Sequence, residues 1–494
     1  MTTEEAGGSG HQRGLHVVTP VWCAVAKIRG PAALQERQVC REPVTRRIAS
    51  MTTSYRQHYA ETLRLAAPVA VAQLSAMGMN VADSVIAGRL GAAALGGVAV
   101  GAAIYSFSLL LTIGTIGALT PTVAQLFGAR RFDEIAPRAR QAWWLVLALG
   151  LLVMMVCFNA RHLLLLIGID SVLYPHARDF LRGVGWGGPG LAALFMLRGY
   201  ADGLGRTKPG MVVSALGLVA LVPLAIWMAL GGAGMPPLGT FGLGLATALV
   251  LWLEAISLAL YLHRAHWFRR FGSILEFPRP DPQALRALLG IGLPMAFSWQ
   301  MEGGLFIVVA LLMGRIGGDW AAAHQIAINV ASVAFMIPLG LAQAVSVRVG
   351  HARGAEDKLG VRRAGLAGLG IAFATQLASA AIMLLFAARI TRLYAPDAPQ
   401  LVPLAVQLLF LAGIFQLSDG IQVVAAGALR GLKDTRFPML ITAFAYWGAG
   451  FPLAWTLGFG LSWGGPGLWV GFIAGLTVAA IGMNWRFAVM LRRS

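Results

Sequence analysis

The chain has 494 residues, 57% of them hydrophobic and only 12% charged, with a net charge of +18. Soluble domains carry roughly 25% charged residues, so this composition excludes a soluble globular fold and implies many membrane spans. A balance this basic in a soluble protein would suggest nucleic acid, but here the basic residues cluster in short loops between apolar runs, where they report membrane orientation.

Residues 1–60 are polar and irregular and read as a disordered cytoplasmic tail. Leu15–Ala26 is too short to span and is interrupted by Pro20. Met51-Thr52-Thr53 repeats Met1-Thr2-Thr3 just ahead of the first apolar run, which makes Met51 a candidate start. Cys23, Cys40 and Cys157 show no metal or disulfide spacing.

Twelve apolar segments follow, at 63–88, 92–120, 141–160, 180–201, 209–231, 241–262, 288–314, 320–346, 364–387, 401–428, 438–459 and 464–487. The loops on one side carry the basic residues: Arg130, Arg131, Arg138 and Arg140, then Arg206 and Lys208, five arginines in 263–286, five basic residues in 348–363, and Arg430, Lys433 and Arg436. The positive-inside rule places this side, and both termini, in the cytoplasm. The fold class expected is an all-α membrane protein of twelve transmembrane helices in two pseudo-symmetric six-helix bundles. The amino-terminal lobe is read as 61–262, the cytoplasmic linker as 263–286, the carboxy-terminal lobe as 287–489 and a short tail as 490–494.

The two halves repeat. Pro68 matches Pro294, 226 positions on, and the same offset pairs Gly88-Arg89-Leu90-Gly91 with Gly314-Arg315-Ile316-Gly317 and Gly128-Ala129 with Gly354-Ala355. Gly203-Leu204 matches Gly431-Leu432, and Pro223-Leu224-Ala225 matches Pro452-Leu453-Ala454. Six spans per half make the repeats parallel, with a cleft between them that rocking would open to each side in turn.

Three acids stand out inside the spans: Glu302 in the seventh, Asp419 in the tenth and Asp83 in the first. A bare carboxylate at the bilayer midplane costs at least about 2.5–3.5 kcal/mol, so such a group marks an ion or proton pathway. A neutral carboxyl that only bonds neighbouring helices is the plainer alternative, strongest for Asp83 near the outer end of its span. Gln325 and Asn329 lie four apart on one helix face, and Gln422 three beyond Asp419. Their amide oxygens suit a hard cation or interhelical hydrogen bonds. Trp299, Met301, Phe306, Phe335 and Phe415 are candidates to line a cleft and hold a flat organic cation, although aromatic residues in membrane helices more often pack. His324 is read as structural. Pro68, Pro223, Pro294, Pro338 and Pro452 fall inside spans as candidate kinks. There is no G-x-x-x-x-G-K-[ST] loop, H-E-x-x-H pair or G-x-S-x-G elbow, so transport energy most simply comes from an ion gradient.

Three stretches carry a family resemblance: Pro68 with Val81-Ala82-Asp83-Ser84-Val85-Ile86-Ala87-Gly88, Ala323-His324-Gln325-Ile326-Ala327-Ile328-Asn329 with Pro338-Leu339-Gly340, and Gln422-Val423-Val424-Ala425-Ala426-Gly427-Ala428-Leu429-Arg430-Gly431-Leu432-Lys433-Asp434-Thr435. Over roughly residues 60–490 the chain resembles the multidrug and toxic compound extrusion (MATE) transporters of the NorM-like branch. The resemblance implies export of cationic, often aromatic, drugs across the bacterial inner membrane in exchange for Na+ or H+, with Glu302 and Asp419 as the cation-site acids, Na+ ligands if sodium is the coupling ion, and Asp83 as the amino-lobe acid. Gln325, Asn329 and Phe415 fall near the family's site. No cofactor is expected beyond the coupling ion. The expected partners are cationic small molecules and the lipid bilayer, with no nucleic acid, and the chain is expected to be a monomer and not an enzyme. One departure stands out: Leu221 and Ala225 flank Pro223 where family members often carry two asparagines, which favours the carboxy-lobe pair for coupling. Two rival readings remain, a flippase of lipid-linked precursors, which would want an arginine-rich cleft, and a receptor or scaffold without transport.

Overall fold

The computed structural model describes residues 44–494 except 233, 235, 395–397 and 494. The chain divides into two units, Met1–Gln57 and His58–Ser494, and the spans described below, from His58 on, belong to the second. Residues 1–43 of the expected tail lie outside the described residues, and 44–60 are helical.

Long apolar runs become helices because hydrocarbon offers no partner for a free N–H or C=O, so each span must satisfy its own backbone. Eleven helices among the described residues are long and apolar enough to cross a membrane. They are α1 Arg56–Leu90, α2 Ala92–Gly128, α3 Phe132–Phe158, α6 Lys208–Leu230, α7 Gly239–Arg264, α8 Pro282–Ile316, α9 Gly318–Gly354, α10 Lys358–Tyr394, α11 Leu401–Gly431, α12 Arg436–Gly460 and α13 Gly465–Arg492. The remaining span of the twelve differs from the sequence reading in one respect: it is interrupted. The segment expected at 180–201 is two helices, α4 Tyr174–Gly185 and α5 Gly188–Gly203. The break falls in Gly183-Val184-Gly185-Trp186-Gly187-Gly188-Pro189-Gly190, where Pro189 lacks a donor and the glycines hold a helix weakly. In return, the backbone at Gly188 lies against Gly150 of α3, and Gly187 lies against Ala248 of α7. The spans form two pseudo-symmetric six-helix bundles.

The repeat extends to the backbone of the connections. Arg130 and Glu356, 226 apart, both adopt left-handed φ, at 58° and 57°. Gly205 and Lys433, 228 apart, do the same at 76° and 60°. Hydrogen bonds follow suit: Arg131 N donates to Leu126 O at 3.0 Å and Asp357 N to Ala352 O at 2.9 Å. Arg206 N donates to Ala201 O, and Asp434 N to Leu429 O, both at 3.0 Å.

Two equivalent crossings join the bundles. On α2, Gly114 leaves room only for the backbone of Ala296 on α8, and on α9 Gly340 does the same for Ala70 on α1. Small residues of this kind let membrane helices approach backbone to backbone. The outer faces carry exposed apolar side chains such as Leu166 and Leu385, as a lipid-facing surface requires.

The stretch between the bundles is anchored rather than loose. A helical turn at His266–Arg269 is followed by chain bonded to Gln141 and Trp143 of α3. Trp143 Nε1 donates to Ile274 O at 2.8 Å, the Gln141 amide donates to Arg279 O at 2.9 Å, and Gln141 Oε1 accepts from Asp281 N at 3.0 Å. Asp281 caps α8, accepting from Gln283 N at 2.9 Å ahead of Pro282 in the first turn.

Candidate functional site

The site is built mainly by α8, α9 and α11, with one wall from α2. A cavity of about 280 Å³ is lined by Trp299, Glu302, Gly303 and Phe306 of α8, by Ile328, Ala331, Ser332, Phe335, Met336 and Leu339 of α9, by Phe415, Asp419 and Val423 of α11, and by Leu110 of α2. The spacing accounts for this convergence. On α8, positions 299, 302, 303 and 306 are one stripe, and on α11 positions 415, 419 and 423 are another, each advancing by about one helical turn. The two carboxyls therefore meet from separate helices at a wall of aromatic rings. Phe306 and Phe415 stack edge to face with centroids 6.0 Å apart, and Phe472 and Trp469 back them.

Around the acids lies a polar shell with unfilled capacity. Gln422 and Arg430 line a small pocket together with Glu302. Tyr446 of α12 is fully buried in the same bundle. Asp419 Oδ1, Gln422 Oε1 and the Tyr446 hydroxyl are buried without a hydrogen-bond partner. Buried polar atoms left bare are costly, so these oxygens have capacity for a further hydrogen bond or ligand. α12 widens into π-type turns at Phe444–Gly450 and Thr456–Gly460 on either side of Pro452, and Tyr446 is buried in the first of them.

The other expected residues are distributed differently. Gln422 joins the acids from a small adjoining pocket. Gln325 donates to Asn329 Oδ1 at 3.0 Å, on a stripe that continues the Ser332 and Met336 face beyond the cavity, so the two amides satisfy one another. Met301 points into the carboxy-bundle core, and only its carbonyl is engaged, by Trp447 Nε1 at 3.2 Å. Asp83 stands apart in the amino bundle, buried, with the Thr247 hydroxyl donating to Oδ2 at 3.1 Å. Leu221 and Ala225 are fully buried in the apolar cluster of that bundle. His324 is buried and accepts from Trp469 Nε1 at 3.2 Å.

Several residues escaped the sequence reading. Arg430, taken there as a loop residue, is buried at the end of α11. It lines a second chamber of about 70 Å³ with Arg198, Asp202, Gln73, Thr120 and Gln343, which shares Trp299 and Leu339 with the main cavity. Arg198 Nε lies 3.8 Å from Asp202 Oδ2. Glu254 of α7 is 4% exposed, with Oε1 unpartnered. An acid inside an apolar run was the available signal for Glu254, as it was for Glu302.

The MatE family model matches this chain twice, at residues 68–227 and 294–456, once per bundle. The chain belongs to the MatE family. It is 46% identical, over 90% of its length and 97% of the relative's, to a probable multidrug resistance protein NorM of Xanthomonas campestris pv. campestris. It is 39% identical, over 86% of its length and 94% of the relative's, to the multidrug resistance protein MdtK of Yersinia enterocolitica. Among solved MatE-type structures, the outward-facing conformation of a multidrug resistance MATE family transporter superposes with a TM-score of 0.80 at 21% identity, covering 88% of this chain and 97% of that one. The eukaryotic MATE transporter AtDTX14 superposes with 0.77 at 20% identity, covering 89% and 98%. These likenesses place the two-bundle fold in the family, and the chain is a multi-pass membrane protein.

Proposed function

We propose that this MatE protein is a secondary multidrug antiporter that exports cationic and aromatic compounds in exchange for Na+ or H+. The relatives named as multidrug resistance proteins support the substrate class. The observation that carries the reading is the meeting of Glu302 and Asp419, from α8 and α11, in one cavity walled by Trp299, Phe306, Phe335 and Phe415. Aromatic faces attract an organic cation by about 0.5–2 kcal/mol each, and the carboxyls supply the charge.

The same acids take the coupling ion. The Glu302 and Asp419 carboxyls, with Gln422 Oε1 in the adjoining pocket, offer oxygen ligands suited to a hard cation. Each acid also accepts a proton in the absence of metal. Occupation by the ion removes the negative charge that holds the drug, so one cargo displaces the other. Asp83, held by Thr247 among apolar residues, has an amino-bundle role outside this exchange. The basic face is assigned to the cytoplasm, and the bundles 61–262 and 287–489 rock about the linker 263–286.

The lipid-linked flippase reading would use the arginines of the second chamber. Arg198 pairs with Asp202, and Arg430 shares a small pocket with the Glu302 carboxyl, so acids offset the arginines where a pyrophosphate site would want bare positive charge. Dye efflux from reconstituted vesicles, with sodium and pH gradients imposed separately, tests the proposal. Efflux driven by either gradient supports it, and no efflux under both, with protein folded in the bilayer, overturns it.

A further inference from the structure

The two bundles are tied on the basic face by a pair of hydrogen bonds that exchange partners under the internal repeat. Gln125 of α2 donates from Nε2 to Gly431 O, at the end of α11, at 2.8 Å. His351 of α9 makes the counterpart, Nε2 to Gly203 O, at the end of α5, also at 2.8 Å. Gln125 and His351 are 226 positions apart, and Gly203 and Gly431 are 228 apart. Each bundle thus reaches across with one side chain and offers one carbonyl.

The packing beneath is equally reciprocal. The backbone of Gly128 lies against the His351 carbonyl and that of Gly354 against the Gln125 carbonyl, so close that any side chain at either glycine would collide. Gly203 rests on Thr120 and Val123, while Gly431 rests on their equivalents Ser346 and Val349. A carbonyl oxygen only accepts, so the His351 ring must carry its hydrogen on Nε2. In that tautomer histidine presents the same donor as the glutamine that occupies the equivalent place.

We infer that Gln125 and His351 are the two arms of a latch that holds the bundles closed on the basic face, and that releasing both arms is the step that opens the site to that side. The two residues touch neither acid and line neither chamber, so they are positioning residues. They set the balance between the two facing states without binding cargo. The inference draws on the transport reading only for the use of the motion; the closure itself can be read without drug or ion.

Accessibility of a buried reporter tests it. Thr120 lines the second chamber behind the latch and is 2% exposed. In a background with Cys23, Cys40 and Cys157 replaced, Thr120→Cys is labelled with a membrane-impermeant maleimide presented to the basic face in sealed vesicles. A hydrogen bond contributes about 0.5–1.5 kcal/mol, equivalent to roughly a 2–10-fold population shift. Gln125→Ala and His351→Ala should therefore each raise the labelling rate about 2–10-fold, and the double variant should exceed either. His351→Gln and Gln125→His, which keep a donor in place, should label at the reference rate. Equal labelling of the double variant and the reference, or fast labelling of His351→Gln, would overturn the latch. Neither result depends on which drug or ion is carried, so a failure here is separable from a failure of the antiport reading.

Discussion

Phe415 and Asp419 stand one helical turn apart on α11, and both line the cavity that Glu302 enters from α8. An aromatic face and a carboxylate so placed recognise charge and flatness together, which is the combination an aromatic cation presents. Phe415 itself is 1% exposed and ringed by Phe306, Phe472 and Trp469, so its replacement would disturb the core as well as the site.

Trp299 is the cleaner probe of recognition. It is half-buried and borders both the main cavity and the second chamber. Trp299→Ala should raise the apparent KM for a planar aromatic cation about 2–30-fold, the equivalent of one cation–π contact. A small non-aromatic cation should be affected far less. Concentration-dependent efflux of both kinds of cation measures this, and an equal effect on the two would remove the aromatic contact from the account.

A polar network stands behind the cavity wall. Gln376 of α10 donates to Gln416 Oε1 of α11 at 2.5 Å, and Gln416 Nε2 donates to the carbonyl of Ala331, a lining residue of α9. Both glutamines are fully buried. Gln416→Leu strips the Ala331 carbonyl of its donor and should destabilise the protein by about 1–2 kcal/mol. The double change Gln376→Leu with Gln416→Leu should recover part of that loss, because the Gln376 amide, whose Oε1 is unpartnered and whose Nε2 would keep only the residue-416 carbonyl, is removed with it. Thermal unfolding in detergent measures both.

Lys433 occupies a left-handed turn, at φ 60°, where the equivalent position of the other bundle is Gly205. Burial lowers its pKa from the usual lysine value, and Arg138 and Arg131 lower it further. The folded state therefore binds fewer protons than the unfolded chain just below the ordinary lysine pKa, so stability attributable to this site rises with pH through that alkaline window. Lys433→Gly removes both the backbone strain and the repelled charge. It should stabilise by about 1 kcal/mol near neutral pH, with the gain shrinking as pH approaches the lysine range.

Much of this architecture was legible in the chain. The repeat between Gly128 and Gly354 and between Gly203 and Gly431 reappears as equivalent turns and equivalent inter-bundle bonds. Glu302 and Asp419 were visible because a carboxyl in oil is expensive wherever its helix points. Facing was harder to read. Met301 and Glu302 differ by one residue, about 100° around the helix, and α8 is apolar on nearly every side, so nothing in the sequence marked Met301 as turned into the bundle core. Arg430 was misread because hydropathy ends the tenth segment at 428, whereas the helix continues to Gly431 and carries the guanidinium inside. Gln325 and Asn329 share a face, as expected, and spend their polar groups on each other. The broken fourth span had a signal in its glycines and Pro189, but long apolar runs conceal a break that tertiary packing makes tolerable.

The central claim is that Glu302 and Asp419 exchange a coupling ion for cargo. The most direct measurement compares Glu302→Gln and Asp419→Asn with the unaltered protein in vesicles under an imposed sodium or proton gradient. With equal amounts of each protein in the bilayer, both variants should lose gradient-driven efflux of a cationic dye. Efflux at the unaltered rate from both would contradict the account.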